Sequence, residues 1–301
     1  MFDRLFDEKG LSLDRLRRFL AVVESGGNTK AAGGDPTLQS QISRQIKELE
    51  TFFGVSLFLR VGKRMQPTDK GRLLAVIARH SLSSLEDFRI ACAQEPRTIS
   101  IGAGDAFFQW VLLPRIGELE EGDVTLHIEN LRTREIAEQV TDMRLDFGVV
   151  REDAISASHE SRKLGKLGYA LFVPRKLVGM SKVAVWKTLL SKVPLATLET
   201  SGQFFERLNE AAKEAGIELQ LRLACSSFPQ AAKALETGRF AAILPKIAQV
   251  ELSKDDYAQV PVPFLSDEMR ELHLIWNRRQ MHMQPELEKF LTRIAKLLAI
   301  K

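Results

Sequence analysis

The chain has 301 residues, of which 45% are hydrophobic, so it can bury a substantial core and has the length of about two domains. No apolar run approaches the ~18 residues of a membrane span, the N-terminal MFDRLFDEKG is too charged for a signal peptide, and Cys92 and Cys225 make no disulfide framework or metal cluster. We therefore expect a cytoplasmic protein without membrane contact. The net charge is +4 and its excess lies within residues 1–97, which suits a polyanionic partner.

Two helices are predicted before residue 33. The first has apolar residues at helical spacing and ends at the glycine pair 26–27; these residues are Leu13, Leu16, Phe19, Leu20 and Val23. Asn28 is placed to cap a second, short helix, in which Ala31 and Ala32 allow close packing against neighbouring helices.

The stretch from residue 38 to Gly54 predicts a third, amphipathic helix. Its apolar positions are Leu38, Ile42, Ile46, Leu49 and Phe53. The opposite face is uncharged at its start and basic further along, with Ser40, Ser43, Arg44 and Lys47. Short serine and glutamine side chains can approach base edges, and arginine and lysine can bind guanine or phosphate. An ordinary solvated amphipathic helix has the same periodicity, so the flanking sequence has to decide.

A two-stranded wing is predicted after the third helix. Residues 57–60 and 65–67 have strand character, and Gly62 with Lys63 and Arg64 forms a basic tip between them. Three helices and a wing within about 55 residues are typical of a winged helix-turn-helix, whose third helix enters the major groove of DNA.

The order and spacing of five segments resemble the N-terminal domain of LysR-type transcriptional regulators. They are LDRLRRFLAVVESGG, NTKAA, QSQISRQIKELE, FFGVSLFLR and PTDKG. The resemblance implies DNA contact for Gln39, Ser43 and Arg44. It implies contact with the flanking backbone or minor groove for Arg60, Lys63 and Arg64. With the other outward polar residues, the predicted DNA-binding set is Lys30, Gln39, Ser40, Gln41, Ser43, Arg44, Lys47, Arg60, Lys63 and Arg64.

The chain departs from the family pattern at residues 33–38, Gly-Gly-Asp-Pro-Thr-Leu. Two glycines in a helix interior cost roughly 1 kcal/mol each, so the second helix should end early. Asp35 as N-cap with Pro36 at the first helical position can restart the chain, and Thr37 is the other candidate cap. If the turn is spoiled, the alternative is a ligand-sensing or protein-interaction module with an impaired DNA-binding head.

A long helix is predicted from Thr68, as cap, to about Ala93. An alternating three-and-four spacing forms a seam of Gly71, Leu74, Ala78, Ser81, Leu85, Phe88 and Cys92, flanked by Ile77 and Leu82. The plain alternative is that this stripe packs against the chain's own body. The resemblance implies a dimerising linker helix that pairs two heads, and hence a pseudo-palindromic double-stranded DNA site.

From residue 98 onward, strands and helices alternate, which predicts a parallel α/β sheet. Strands are expected at 98–102, 124–129, 146–150, 165–173, 194–198, 217–224, 241–244 and 270–276, and helices at 107–119, 134–143, 202–215, 229–236 and 285–300. The predicted fold is an N-terminal all-α winged helix-turn-helix plus an α/β two-lobed periplasmic-binding-protein-like effector domain. The predicted domains are 1–67 (DNA-binding), 68–94 (linker helix) and 98–301 (effector-binding), with lobe I at 98–173 and 264–301 and lobe II at 174–263.

Ligands of open α/β sheets bind beyond the carboxyl ends of the strands, near helix N-termini. The corresponding loops give an effector-binding set of Asp105, Ala106, Phe107, Asn130, Arg132, Thr133, Arg151, Ser201, Gly202, Ser226 and Ser227. The resemblance implies a small-molecule effector, commonly a carboxylate, in this cleft. Each serine or threonine is also an ordinary helix cap, and the charge of Asp105 would repel an anion, which favours a neutral or cationic effector.

Enzyme motifs are weak in this chain. Gly102-Ala103-Gly104 follows a strand, but Phe107 stands where a dinucleotide fingerprint needs its third glycine, and neither a phosphate-binding loop nor an H-E-x-x-H zinc motif occurs. The five histidines are scattered, so no metal or cofactor is expected. Cys225 paired with a distant histidine is the remaining enzymatic alternative, an α/β enzyme. We therefore expect a homodimeric or homotetrameric transcriptional regulator, not an enzyme, with RNA polymerase as a further partner.

Overall fold

The computed structural model describes residues 3–7, 9–61, 64–93, 97–119, 124–178, 186–198, 203–267, 269–283 and 285–300. The chain forms two compact units. The first contains Met1–Thr98 together with two short segments, and the second contains most of the chain from Ile99 onward. No described helix combines the length and the apolar composition needed to cross a lipid bilayer.

The first unit is helical, with one small antiparallel sheet. Its elements are α1 (Asp3–Phe6), α2 (Leu13–Ser25), α3 (Asn28–Ala31), α4 (Pro36–Phe53), β1 (Phe58–Val61), β2 (Arg64–Pro67) and α5 (Asp69–Ala93). Ser12 caps α2 by accepting the N–H of Arg15 at 3.2 Å, and Gly26 ends it in the left-handed conformation with φ 75°. Phe19, Leu49 and Leu57 are fully buried at the centre of this unit.

The turn between α3 and α4 explains how the chain accommodates its glycine pair. α3 ends at Ala31, and Gly33 and Gly34 follow with φ of 58° and 88°, values that side-chain-bearing residues rarely adopt. Asp35 then caps α4, because its Oδ1 accepts the N–H of Thr37 at 2.7 Å and of Leu38 at 3.2 Å. The early end of the second helix and the choice of Asp35 as cap are confirmed.

The predicted cap of α3 is wrong. Gly27 occupies the cap position, and Asn28 is the first helical residue. The Asn28 Oδ1 atom is buried and has no hydrogen-bond partner among the described residues. The chain enters α3 from the extended backbone of Gly27, so the asparagine side chain lies too far into the helix to accept its first N–H groups.

The wing is held to α4 by one carboxylate. β1 and β2 pair antiparallel, with Leu59 opposite Gln66. The Glu50 Oε1 atom accepts the N–H of Leu57 at 2.7 Å and of Phe58 at 3.4 Å, just where β1 begins. The predicted tip, Gly62 and Lys63, lies outside the described residues.

α5 does not present its predicted seam on one surface. Thr68 caps the helix as expected, since its Oγ1 accepts the N–H of Gly71 at 2.9 Å. Ala78 is buried with the core of the first unit, and a Cβ on Gly71 would lie only 2.1 Å from the carbonyl oxygen of Leu57. The small residues therefore pack against the chain itself, as in the plain alternative. Among the described side chains of α5, the large apolar ones that remain exposed are Leu73, Ile77, Leu85 and Phe88.

The second unit contains two five-stranded sheets and their covering helices. The strands are β3 (Arg97–Ala103), β4 (Val124–Asn130), β5 (Phe147–Arg151), β6 (His159–Leu167), β7 (Tyr169–Pro174), β8 (Leu195–Leu198), β9 (Leu221–Cys225), β10 (Ala241–Pro245), β11 (Tyr257–Val260) and β12 (Arg270–Asn277). The α-helices are α6 (Asp105–Phe107), α7 (Thr133–Thr141), α8 (Arg175–Val178), α9 (Trp186–Lys192), α10 (Gln203–Glu214), α11 (Phe228–Glu236), α12 (Pro263–Asp267), α13 (Arg278–Met283) and α14 (Pro285–Leu297). A π-helical segment, Phe108–Leu112, and 3-10 segments at Leu113–Leu119, Glu152–Ala154 and Lys246–Val250 complete it.

The two sheets are mixed rather than purely parallel. Their strand orders are β4-β3-β5-β12-β6 and β11-β7-β10-β8-β9. β3 and β5 are parallel, as are β8, β9 and β10, but β12 runs antiparallel to β5 and β6, and β7 runs antiparallel to β10 and β11. The prediction of a parallel sheet therefore holds for the strands joined through helices and fails for the strands that cross between the sheets.

The prediction of one strand over 165–173 is wrong. The chain forms β6 and β7 instead, which belong to different sheets and meet at Gly168. A Cβ on Gly168 would lie 3.0 Å from the Met269 Sδ atom, which precedes the returning strand β12. Both connections between the sheets therefore pass close together at Gly168.

The helix predicted from Phe107 begins earlier and is irregular. It starts at Asp105 and continues as the π and 3-10 segments to Leu119. Ala106 and Trp110 belong to the core of the second sheet, whereas Phe107 and Val111 belong to the core of the first. This segment therefore packs against both sheets.

Candidate nucleic-acid interface and candidate ligand cleft

A concave groove of about 1000 Å³ opens on the first unit. Its walls are the junction of α2 with α3, the outward face of α4, and the wing. Five residues from the predicted DNA-binding set line it, namely Lys30, Gln39, Ser43, Lys47 and Arg60. The groove therefore brings together side chains from α3, α4 and β1.

The outward face of α4 is accessible along its length. Ser40, Gln41, Ser43, Arg44 and Lys47 are exposed and Gln39 is half-buried. The Arg44 side chain is 79% exposed, and its Nε lies 3.4 Å from Glu48 Oε1. Glu48 is bonded more closely by Arg15, whose Nε donates to Oε2 at 2.8 Å. A loose, exposed ion pair contributes little, so the Arg44 guanidinium can turn toward a ligand.

Two carboxylates of the groove walls already have partners. Glu50 accepts the two backbone N–H groups at the start of β1. Glu24 lies 3.3 Å from the Arg79 guanidinium. The described lining of the groove also holds three cationic side chains, Lys30, Lys47 and Arg60, so positive charge exceeds the charge of these two engaged carboxylates, which suits phosphate contacts.

Of the three predicted wing residues, only Arg60 has a side chain that the structure describes. Arg60 is exposed on β1. Lys63 and the side chain of Arg64 lie outside the part of the chain that the structure describes. Thr29, exposed in α3 and lining the groove beside Lys30, was not predicted, although its place directly before a predicted contact residue was a usable signal.

In the second unit, the loops that carry the predicted effector-binding residues differ in how exposed their side chains are and in the hydrogen bonds that these side chains make. The Asp105 Oδ1 accepts the N–H of Ala106 at 2.7 Å, while its Oδ2 is buried and has no partner among the described residues. Ala106 and Phe107 are buried in the two cores. Asn130 at the end of β4 and Arg132 in the following loop are exposed, and Thr133 at the start of α7 is half-buried.

The two described serines after β9 both make local hydrogen bonds at the start of α11. Ser227 caps α11 by accepting the N–H of Gln230 at 3.3 Å. Ser226 donates from its Oγ to the Gln230 Oε1 at 3.0 Å. Ser201 and Gly202 lie outside the described residues.

A smaller pocket of about 210 Å³ lies beside the start of β12. It is lined by Arg151, Glu152, Asp153, Arg207, Arg270 and Glu271, of which only Arg151 was predicted. The Arg270 guanidinium lies 5.8 Å from the centre of the Tyr169 ring. Sequence reasoning missed Arg270 because it opens a strand, where the rule for helix N-termini and strand carboxyl ends gives no signal.

Burial shifts the pKa values of His159 and of the Cys225 thiol. Burial lowers the pKa of His159, whose Nε2 lies 2.9 Å from Thr141 Oγ1 and whose Nδ1 accepts the N–H of Ser156. Burial raises the pKa of the Cys225 thiol. Because the thiolate is the reactive form of cysteine, this shift disfavours Cys225 as a nucleophile.

Comparisons with known proteins address both units. Residues 13–72 match the family described as "Bacterial regulatory helix-turn-helix protein, lysR family", and residues 93–299 match "LysR substrate binding domain". The HTH-type transcriptional activator AmpR of Rhodobacter capsulatus is 30% identical over 148 residues, covering 47% of this chain and 51% of AmpR. The chain spans about half the length of the curated relatives it matches.

Two solved structures share the fold at low sequence identity. ArgP from Mycobacterium tuberculosis has a TM-score of 0.65 and 19% identity, with 96% of this chain and 97% of ArgP covered. Full-length CbnR complexed with its target DNA has a TM-score of 0.56 and 20% identity, with 95% and 100% covered.

Proposed function

This chain belongs to the LysR family of bacterial helix-turn-helix regulators, and from that premise we propose that it is a cytoplasmic, sequence-specific DNA-binding transcriptional regulator rather than an enzyme. A small molecule bound in its C-terminal domain modulates DNA binding. The proposal rests mainly on the outward face of α4, which is polar and exposed and lies in one groove with Lys30 and Arg60.

The side chains of this groove suit two kinds of DNA contact. Ser40, Ser43 and Arg44 are exposed on α4 and can reach base edges in the major groove, where arginine bonds to guanine. Lys30 and Arg60 flank that face and suit phosphates, which fix the position of the helix without reading sequence. The complete cap at Asp35 supports a well-formed start of α4, so the glycine turn favours a competent head over an impaired one.

The proposed domains are residues 1–67 for DNA binding, 68–94 for the linker helix and 98–301 for the effector. Leu85 is 52% exposed and Phe88, about one turn further along α5, is 70% exposed, so neighbouring large apolar side chains face solvent. We assign these residues, with Leu73 and Ile77, to contact with a second copy. A two-fold pair of heads reads a pseudo-palindromic site, and pairs of such dimers give tetramers.

The two sheets of the second unit give the effector domain a way to respond to a ligand. They are connected only at neighbouring points within the described residues, near Gly168 and before Arg270. A ligand between the two lobes changes DNA binding only if it binds one arrangement of the lobes more tightly than another.

The test is the salt dependence of DNA binding by the full-length chain. Phosphate contacts release counterions, so the logarithm of the affinity should fall steeply and linearly with the logarithm of salt, by about 0.9 per phosphate contacted. Lys47→Ala should reduce that slope by about one contact. Arg17→Ala, which removes an exposed cation of α2 that does not line the groove, is the matched control. A flat salt curve for the wild type would contradict the proposal.

A further inference from the structure

The segment that follows β3 packs against both sheets of the second unit. It begins with α6 and continues as the π-helical turn Phe108–Leu112. Ala106 and Trp110 belong to the core of the second sheet. The core of the first sheet takes Phe107, Phe108, Val111 and Leu112. Because β3 is a strand of the first sheet, a segment attached to that sheet inserts some of its side chains into the core of the other.

One carboxylate fastens this segment to the second sheet. Glu251 follows the 3-10 segment Lys246–Val250, which leaves the carboxyl end of β10. Its Oε1 accepts a hydrogen bond from Gln109 Nε2 at 2.7 Å, and its Oε2 accepts one from Trp110 Nε1 at 2.8 Å. Both oxygens of Glu251 therefore bond to adjacent residues of a segment that belongs to the other sheet. Ile247, in the 3-10 segment, packs against both cores.

The hydrogen bonds to Glu251 favour one placement of the segment without making it permanent. The Trp110 side chain is only 4% exposed, and an indole N–H in such surroundings needs an acceptor. Glu251 is exposed, so water can solvate its carboxylate when the contact opens. Packed elements move past one another by small sliding displacements, and a contact that bonds two adjacent donors selects one of the available placements.

The contact lies at the end of the sheets where ligands bind. β3 is parallel to β5, and β10 is parallel to β8, and the segments after β3 and β10 both leave the carboxyl ends of these strands. Open α/β sheets bind their ligands at that end. Asp105, from the predicted effector-binding set, is the first residue of α6 and so begins the segment that Glu251 holds.

From this arrangement we propose that Glu251 is a positioning residue that acts as a latch between the two sheets. The latch consists of the Glu251 carboxylate and its two donors, Gln109 and Trp110. It holds the segment after β3 in one placement on the second sheet, and an effector changes DNA binding by shifting that segment against the latch. The inference rests on the proposed function, since it names how the effector domain is regulated.

The test uses the full-length chain without added ligand. The variants are Glu251→Ala, Trp110→Phe, which keeps an aromatic ring and removes the N–H, and the two substitutions combined. Glu138→Ala is the matched control, because Glu138 is an exposed glutamate whose carboxylate lies 3.2 Å from Arg134 Nε within α7. The measurements are amide hydrogen exchange, affinity for a DNA fragment selected by the wild type, and the free energy of unfolding.

Glu251→Ala and Trp110→Phe should each speed amide exchange in Phe108–Leu112 and in Lys246–Val250 by about 3- to 10-fold, as expected for loss of hydrogen bonds to a carboxylate that water also reaches. Exchange in α14 should not change. Each substitution should change DNA affinity by about threefold or more, in the same direction. The double variant should show no more than the larger single change, because both substitutions remove one contact. Glu138→Ala should match the wild type throughout.

Three results would overturn the inference. They are wild-type exchange and DNA affinity in Glu251→Ala, additive effects of the two substitutions on DNA affinity, and faster exchange or lower stability with no change in DNA affinity. The last result would show a purely structural contact. A wild type that binds no DNA would instead contradict the proposed function, and the exchange measurement would still show whether Glu251 holds the segment.

Discussion

Removing the Asp35 cap should loosen the start of α4 and weaken DNA binding, and the structure sets the size of both effects. Pro36 has no N–H, Thr37 and Leu38 donate to the Asp35 Oδ1, and the Gln39 N–H bonds to the Asp35 carbonyl oxygen at 2.9 Å. Every N–H of the first turn is therefore satisfied by one residue. Asp35→Ala removes both side-chain bonds, which typically costs about 1 kcal/mol and at most about 2.

The assay is amide hydrogen exchange of the full-length chain, followed by DNA affinity. A loss of about 1 kcal/mol corresponds to roughly fivefold faster exchange at Thr37 and Leu38, with no change in α2. DNA affinity should fall by up to the same factor, because binding has to restore the frayed turn that precedes Gln39. Asp35→Asn is the matched variant, since asparagine caps about as well as aspartate. Its exchange should match the wild type, and its DNA affinity should be equal or higher because a negative charge is lost near phosphate.

The reasoning would be refuted if Asp35→Ala exchanged as slowly as the wild type, or if Asp35→Asn and Asp35→Ala behaved alike. The first result would mean that Pro36 and the glycine turn fix the helix start without the cap. The second would mean that the negative charge of Asp35, rather than its hydrogen bonds, stabilises the helix N-terminus.

Three further predictions concern stability. Gly71→Ala places a Cβ 2.1 Å from the Leu57 carbonyl oxygen and should lower the free energy of unfolding, measured by chemical denaturation, by about 1 to 3 kcal/mol. The control Gly104→Ala should be close to neutral, because Gly104 has open space around it and a φ of −72°. Equal losses in the two variants would contradict the packing of α5. Glu50→Ala should lower the melting temperature more than Glu50→Gln, because the glutamine amide oxygen can still accept the Leu57 N–H. Identical decreases in melting temperature would show that hydrogen bonds to the Glu50 side chain do not anchor the wing. Burial holds the pKa of His159 below its ordinary 6.5, so just below pH 6.5 the unfolded chain binds a proton that the folded chain does not, and the free energy of unfolding decreases as the pH falls below 6.5. His159→Gln should reduce this loss of stability at acidic pH. An unchanged pH profile of stability in that variant would exclude His159 as the source of the loss.

Local signals predicted the ends of α2 and α4 and the start of α4 in the first unit. Glycines at the ends of α2 and α4, and the Asp-Pro pair at the start of α4, act through their own backbone and side-chain atoms, so their effects do not depend on the rest of the fold. Asn28 was the exception. Asparagine is a common helix cap, but Gly27 takes the cap position here and Asn28 is the first helical residue.

Long-range pairing was the part that sequence could not predict. The apolar run 165–173 gives no sign that Gly168 divides it between two sheets, because both strands are buried and only their partners differ. In the seam of α5, the residues that pack inside the unit and the residues that face solvent share the same helical spacing. Only the structure shows that Ala78 is buried and Phe88 is exposed. Arg270 is likewise an ordinary charged residue in sequence, and only the three-dimensional fold places it beside Tyr169 with an unbonded edge.

The central claim is that the outward face of α4 reads DNA bases. The most direct measurement is selection of preferred sites from a randomised DNA library by the wild type, Arg44→Ala and the control Arg17→Ala. We expect Arg44→Ala to lose about 1 to 3 kcal/mol of discrimination at specific base pairs in each half-site, while the control retains the wild-type profile. An Arg44→Ala profile that coincides with the wild type at every position would contradict it.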